Sequence, residues 1–117
     1  MDSGLIYKVT HNIANIEWLN TTFENGAWIY FGHGEEANKQ FVVDNINEYF
    51  ADETILYVSW TRTGSKEILK ENVEFELDDV LGIEDFSIWN VGFKRVIDFN
   101  KTGVMRFGVA KSTGKIS

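Results

Sequence analysis

The sequence predicts a single α+β domain, built on a mostly antiparallel curved sheet of about six strands with two helices packed on one face. Three observations lead to this fold class. A chain of 117 residues is long enough for one hydrophobic core and too short for two. Apolar residues recur with helical spacing only in the first half, whereas strand-like runs dominate after residue 55. The loops between those later runs are too short for the crossover helices that parallel strands require.

The first two elements are expected to be a strand and a helix. Residues 5–9 form a short apolar run with a period of two, which predicts a first strand. One face of this strand consists of Leu5, Tyr7 and Val9. The residues that follow recur at intervals of three or four and predict a helix that stops before Gly26. The apolar face of this helix consists of Ile13, Ile16, Leu19 and Phe23.

A buried strand and the clearest helix come next. Residues 27–31 are a continuous bulky run, which is typical of a strand covered on both faces, and we expect it in the middle of the sheet. Beyond it, apolar residues at i, i+4, i+7 and i+8 define one stripe of a second helix. These residues are Val42, Ile46, Tyr49 and Phe50.

Two further segments are predicted as strands. Residues 55–60 are rich in β-prone side chains, and residues 61–65 have the composition of an exit turn. Apolar and acidic residues alternate strictly over residues 73–78, which predicts a strand with one face in water. The apolar face of this strand holds Val73, Phe75 and Leu77, and the wet face holds Glu74, Glu76 and Asp78.

Three C-terminal strands complete the predicted sheet. They are residues 86–89, 93–99 and 104–109, and the sequence Asn-Lys-Thr-Gly at 100–103 predicts a hairpin turn between the last two. Residues 111–117 lack an apolar pattern, so we expect a flexible C-terminal tail there. The predicted domain therefore spans residues 1–110.

Composition excludes several classes of function. The chain has no cysteine, which rules out disulfides, thiolate zinc sites and a cysteine nucleophile. A net charge of -7 argues against direct binding to nucleic acid, which depends on bases that neutralise phosphates. The chain has no secretory leader pattern and no apolar run near the ~20 residues of a membrane span. We therefore expect a cytoplasmic protein without a membrane partner.

The most site-like string is Gly32-His33-Gly34-Glu35-Glu36, because a histidine between glycines has room to move and two carboxylates follow it. His11 is the only other histidine, and the two lack the i, i+4 spacing of helical zinc sites. The glycines match neither a dinucleotide fingerprint nor a P-loop. We therefore predict no catalytic residue, no metal and no cofactor. An enzyme built on His33 with Glu35 and Glu36 is the alternative.

The acidic residues are unevenly distributed along the chain. Residues 44–85 carry twelve acids against three bases, whereas residues 94–117 carry six bases against Asp98. The densest run contains no lysine or arginine, and such a cluster can attract a basic partner. We predict that its seven carboxylates bind a partner: Glu71, Glu74, Glu76, Asp78, Asp79, Glu84 and Asp85. The alternative is a solubilising face whose charge is balanced by bases from neighbouring strands.

Aromatic residues are a second sign of a binding protein. They make up 15% of the chain, and aromatic side chains are enriched among the anchors of protein interfaces. Most of them are expected in the core. Trp18 lies off the apolar line of the first predicted helix, so we predict that it is exposed and contacts the partner.

The C-terminal segments FSIWN at residues 86–90 and FKRVIDFNKTGVMRFG at residues 93–108 carry a family resemblance. With the small size, the acidic balance and the missing catalytic set, they make the chain resemble bacterial immunity proteins of contact-dependent growth inhibition toxin/immunity pairs. The resemblance implies an antitoxin that binds a cognate toxin domain, expected as a 1:1 complex, and blocks its active site without turnover. A basic nuclease is the expected toxin, because a surface that receives phosphates also attracts carboxylates.

Two other kinds of binding protein fit the same sequence. One is an acidic nucleic-acid mimic that inhibits a defence nuclease through the same carboxylates. The other is a small regulatory protein that self-associates through an edge strand.

Overall fold

The computed structural model describes residues 3–11, 16–19, 28–32, 38–61 and 64–110. The helices in these ranges are α1 (Ser3–His11), α2 (Lys39–Tyr49) and α3 (Val73–Val80), the last preceded by a 3-10 turn at Lys70–Asn72. The strands are β1 (Ile16–Trp18), β2 (Ile29–Tyr30), β3 (Ile55–Ser59), β4 (Lys66–Leu69), β5 (Phe86–Asn90), β6 (Arg95–Asn100) and β7 (Val104–Ala110).

The seven strands form one antiparallel sheet. Their order is β1-β7-β6-β5-β3-β4, and β2 pairs with β7 beyond the end of β1. The predicted α+β class and the antiparallel sheet are therefore confirmed. Strands β3, β5, β6 and β7 and helix α2 coincide with predicted elements, whereas β4 was not predicted.

Polar side chains and glycine shape the two C-terminal turns. Between β5 and β6, the side-chain oxygen of Asn90 accepts hydrogen bonds from the backbone N–H groups of Lys94 and Arg95, both at 2.8 Å. Between β6 and β7, the side-chain oxygen of Asn100 accepts from the Thr102 N–H at 2.9 Å, and Gly103 has a φ of 105°. A positive φ favours glycine, so the hairpin predicted at 100–103 has its physical basis in Gly103.

The main core lies between one face of the sheet and helices α2 and α3. Helix α2 buries Val42 and Ile46, one turn apart, and Phe50 at its end. Helix α3 buries residues at i, i+4 and i+7, namely Val73, Leu77 and Val80. The sheet contributes alternate residues of its central strands to this core: Leu56, Val58, Phe86, Ile88, Ile97 and Phe99.

A second, smaller core lies on the other face of the sheet, under α1. Ile6 of α1 is fully buried with Tyr57, Trp89 and Val96, which alternate along their strands with members of the main core. The Thr10 and Ser59 hydroxyls share a hydrogen bond of 2.6 Å beside this core. The helices therefore cover both faces of the sheet, α2 and α3 one and α1 the other.

The prediction of a strand at residues 5–9 is wrong, because these residues belong to α1. Ile6 and Thr10, one helical turn apart, are the buried residues, whereas Leu5 is 44% exposed. A five-residue apolar run fits both a strand and a helix, and here packing on the sheet selected the helical period.

The first predicted helix, which ended before Gly26, is wrong at Ile16–Trp18. These residues form β1 and pair with Gly108–Ala110 of β7. Its other apolar positions, Ile13 and Phe23, lie outside the described residues. The strand predicted at 27–31 exists at Ile29–Tyr30, but it pairs with β7 alone within the described chain and is not central.

The prediction of a strand at residues 73–78 is also wrong, because this segment is most of α3. Val73 and Leu77 are four residues apart, and residues at this spacing share a face in a strand and also in a helix. Their burial therefore does not distinguish a strand from a helix. Phe75 can separate them, and its side chain is 74% exposed. A strand would have buried it.

Two further expectations concern residues outside the described chain. They are the flexible tail at 111–117 and the site-like string from His33 to Glu36, and both remain predictions. None of the described helices is long and apolar enough to cross a membrane.

Candidate protein-binding surface

The acidic run occupies α3 and the segments on either side of it. Glu71 lies in the 3-10 turn before the helix, four acids lie on the helix, and Glu84 and Asp85 lie in the loop to β5. Because Val73, Leu77 and Val80 face the core, most of the other α3 side chains face outward. The sequence predicted these carboxylates as a group, and the structure brings them together on a helix instead of a strand.

Phe75 lies among these carboxylates on the outer side of α3. Its neighbours along the helix surface are residues at i-4, i-3, i+3 and i+4, and three of the four are acidic: Glu71, Asp78 and Asp79. The ring is 74% exposed, the largest exposure of any large apolar side chain in the described residues. We call Phe75 with Glu71, Glu74, Asp78 and Asp79 the acidic surface. The strand prediction placed Phe75 in the core, and only a helical period reveals its position.

Two lysines compensate part of the acidic run. Lys39 of α2 donates to Asp78 at 2.6 Å, and Lys66 of β4 lies 2.6 Å from Glu76. The hydrogen bond with Asp78 raises the pKa of the Lys39 ammonium, so this lysine stays charged. The Lys39–Asp78 pair is open to water, where an ion pair contributes little to stability, whereas the Glu76 side chain is only 19% exposed in its pair with Lys66.

The other exposed carboxylates of the run form no ion pair in the described part of the chain, although Glu74 interacts electrostatically with Lys39. No ion pair involves Glu71, Glu74, Asp79 or Glu84 within the described chain. The run therefore presents seven carboxylates against two lysines. An excess of one sign on a surface creates a potential that attracts oppositely charged partners.

Two of the C-terminal bases, Arg95 and Arg106, form ion pairs with acids outside the acidic run. Arg95 donates to Asp52 at 2.8 Å and to Glu53 at 2.6 Å, and it also donates to the Tyr49 carbonyl at the end of α2. These hydrogen bonds hold the pKa of Asp52 below its ordinary value. Arg106 pairs with Asp98 at 3.3 Å. Among the described ion pairs, Lys66 of β4 is the base from a neighbouring strand that pairs with the run.

Asp85 is the one member of the run that contacts the C-terminal hairpin. Its carboxylate accepts a hydrogen bond from the backbone N–H of Lys101 at 2.8 Å. A backbone N–H brings no net charge, so this contact fixes the loop without cancelling the carboxylate.

Trp18 lies away from the acidic surface. It is part of β1, half-buried against the second core, on the α1 side of the sheet. The guanidinium carbon of Arg106 lies 3.6 Å from the Trp18 ring centroid and 4.4 Å from that of Trp28, so the two indoles enclose the cation. Residues 16–18 form a strand in place of the helix from which we predicted an exposed Trp18, and the described contacts of Trp18 are intramolecular.

The structure adds no metal site to the described residues. No group of three or more histidine, aspartate and glutamate side chains there could hold a metal ion. Comparison with known proteins gives no relative, because no family model, curated protein or solved structure matches the chain. The acidic surface is therefore the feature from which a function can be inferred.

Proposed function

We propose that this domain is an immunity protein that binds a basic toxin domain through the acidic surface of α3 and blocks the toxin's active site. The observation that carries the proposal is the exposed Phe75 with carboxylates at three of its helical neighbours. An exposed aromatic ring is a typical anchor of a protein interface, and the carboxylates around it select a positively charged partner.

Phe75 favours a toxin domain over the other two binding functions that the sequence allows. A nucleic-acid mimic needs carboxylates alone, and an apolar ring on its surface would contribute nothing to that imitation. Self-association through an edge strand would use β1 or β4 at the ends of the sheet, and it would leave Phe75 and the carboxylates around it without a role. A basic protein satisfies both the ring and the charges.

The test uses the toxin domain encoded beside this gene, with binding measured by calorimetry and protection measured by growth of cells that express the toxin. Phe75→Ala should weaken binding about tenfold or more, the usual cost of losing an interface anchor. Glu74→Gln and Asp79→Asn should act mainly on the association rate, and the effect should shrink in high salt.

The matched control is Asp44→Asn on α2, which changes the charge equally outside the acidic surface. Its binding should equal that of the unmodified protein. Tight binding by Phe75→Ala would contradict the proposed surface. Failure of the unmodified protein to bind any adjacent toxin domain or to protect cells would contradict the proposed function.

A further inference from the structure

A small polar cavity lies at the end of α1, apart from the acidic surface. Its volume is about 120 Å³, enough for several water molecules or one small organic group. The residues that line it are His11, Ser59, Trp60, Asp85, Phe86, Ser87 and Asp98. This lining combines two carboxylates and two hydroxyls with two aromatic rings.

The register of the sheet explains why polar side chains meet here. Ser59 of β3 is opposite Ser87 of β5, Ser87 is opposite Asp98 of β6, and Asp98 is opposite Arg106 of β7. Directly opposed residues have side chains about 5 Å apart on the same face. The four strands therefore present a continuous polar row beside the second core.

Asp98 is incompletely compensated within this row. Its side chain is 33% exposed, and its polar contact in the described chain is the Arg106 Nε–H at 3.3 Å. Arg106 is itself enclosed by Trp18 and Trp28 on the β7 side of Asp98. The cavity lies on the opposite, β5 side, where Ser87 and Asp85 add acceptors and no positive charge.

The pKa of the Asp98 carboxyl reflects chiefly its burial. Burial raises the pKa of the Asp98 carboxyl above its ordinary value, in spite of Arg106, and the charge of Asp85 raises it further. The charged or titratable groups around Asp98 are Arg106 from β7, Asp85 from the loop before β5 and His11 from α1.

We propose that the cavity binds one organic cation, a guanidinium or alkylammonium group, between Asp85 and Asp98. The Ser87 oxygen can accept one of its N–H groups beside the Trp89 indole N–H that it already accepts at 2.9 Å, whereas the Ser59 hydroxyl is buried in its hydrogen bond with Thr10. Trp60 and Phe86 also line the cavity, but their side chains pack against the main core, so recognition of the cation rests on the two carboxylates and Ser87. The group is either a free small molecule or an arginine or lysine side chain of a protein partner.

The experiment titrates the isolated protein with methylguanidinium and methylammonium chloride at constant ionic strength, and follows backbone amide signals by NMR. Saturable shifts should appear at Ser59, Ser87 and Asp98. Methylurea has the shape of methylguanidinium without its charge, so it should produce no saturable shift. Equal shifts with methylurea, or no saturable shift with either cation, would overturn the proposal.

Variants connect the binding to the two carboxylates. Asp85→Asn keeps an oxygen for the Lys101 N–H, and it should weaken cation binding about threefold or more, as expected for a water-exposed charge pair. Asp98→Asn should weaken it further. Asp79→Asn, on the acidic surface, is the control with the same charge change. If Asp98→Asn does not fold, Asp85→Asn against Asp79→Asn decides the question, and equal effects would overturn the proposal.

A second arm identifies the source of the cation. If a side chain of the toxin domain fills the cavity, methylguanidinium should compete with toxin binding and Asp85→Asn should weaken the complex more than Asp44→Asn does. If the ligand is a free cation, toxin binding should be insensitive to both. The titration with methylguanidinium and methylammonium needs no toxin. The absence of cation binding in the cavity and the absence of toxin binding are therefore separate results.

Discussion

The two faces of the sheet hold carboxylates in opposite circumstances. On the α3 side, Glu74 and Asp79 stand in water, and Asp78 forms an open pair with Lys39. On the α1 side, Asp98 is two-thirds covered, and its arginine is fixed between two tryptophan rings. The first arrangement leaves charges free to act on a distant partner, whereas the second makes a charge depend on its immediate neighbours.

Because of this difference, we expect substitutions on the two sides of the sheet to affect different properties of the protein. Changes on the α1 side should alter the free energy of unfolding, because they disturb packed groups. Changes on the acidic surface should alter binding and leave the fold intact. Three predictions test that division, beginning with the largest expected effect on stability.

Gly108→Ala should destabilise the α1 side of the sheet. A Cβ atom at this position would lie 2.7 Å from both the Ile16 side chain and the Trp18 ring. Trp18 would have to move away from Arg106, and overpacking of this kind costs about 1–3 kcal/mol. Chemical denaturation should show this loss, and tryptophan fluorescence should report the displaced indole. Unchanged stability would show that Trp18 is loosely held.

Asp98→Asn should change the pH dependence of stability. Because the folded state raises the pKa of Asp98 above 3.8, it binds this proton more tightly than the unfolded chain does. The contribution of Asp98 to the free energy of unfolding is therefore greatest below its unfolded pKa and decreases as pH rises through its folded pKa. Burial is the main cause of the raised pKa, Arg106 opposes it and Asp85 adds to it, while His11 is the other titratable group that lines the cavity beside Asp98.

Denaturation of both proteins from acid to neutral pH measures this effect. The stability of the unmodified protein relative to Asp98→Asn should decline with rising pH. A relative stability that rises with pH would mean that Arg106 holds the pKa below its ordinary value, contrary to the prediction.

Phe75→Ala should have the smallest effect on the fold. The ring is mostly in water, so its removal should change the free energy of unfolding by no more than about 0.5 kcal/mol. Denaturation and toxin binding measured on the same variant sharpen the comparison between the faces. A large loss of stability would show that Phe75 is a packing residue and not an interface anchor.

In the elements that were predicted correctly, the spacing of apolar residues fits only one type of secondary structure. Helix α2 has an apolar stripe over more than two turns, and strands β3, β5, β6 and β7 are β-prone runs bounded by turn residues. Helices α1 and α3 are short, and their apolar residues fit both a strand and a helix. Packing against opposite faces of the sheet decided between the two, and that information lies in distant parts of the chain.

The candidate site was predictable in composition and not in geometry. The acidic run is visible in the sequence because charge needs no fold to be counted. The position of Phe75 required the helical period, and the Trp18–Arg106 contact required the pairing of β1 with β7. The cavity was also beyond sequence reasoning, because Ser59, Ser87 and Asp98 meet only through strand register.

The pairing of β1 and β2 with β7 also determines when the sheet can finish folding during synthesis. The N-terminal strands leave the ribosome first, yet their partner Val104–Ala110 is made after all the other strands. Contacts between such distant segments slow folding and cannot form during most of synthesis. Helix α2 and strands β3 to β5 can associate earlier. The enclosure of Arg106 by Trp18 and Trp28 is therefore expected among the last events of folding on a nascent chain.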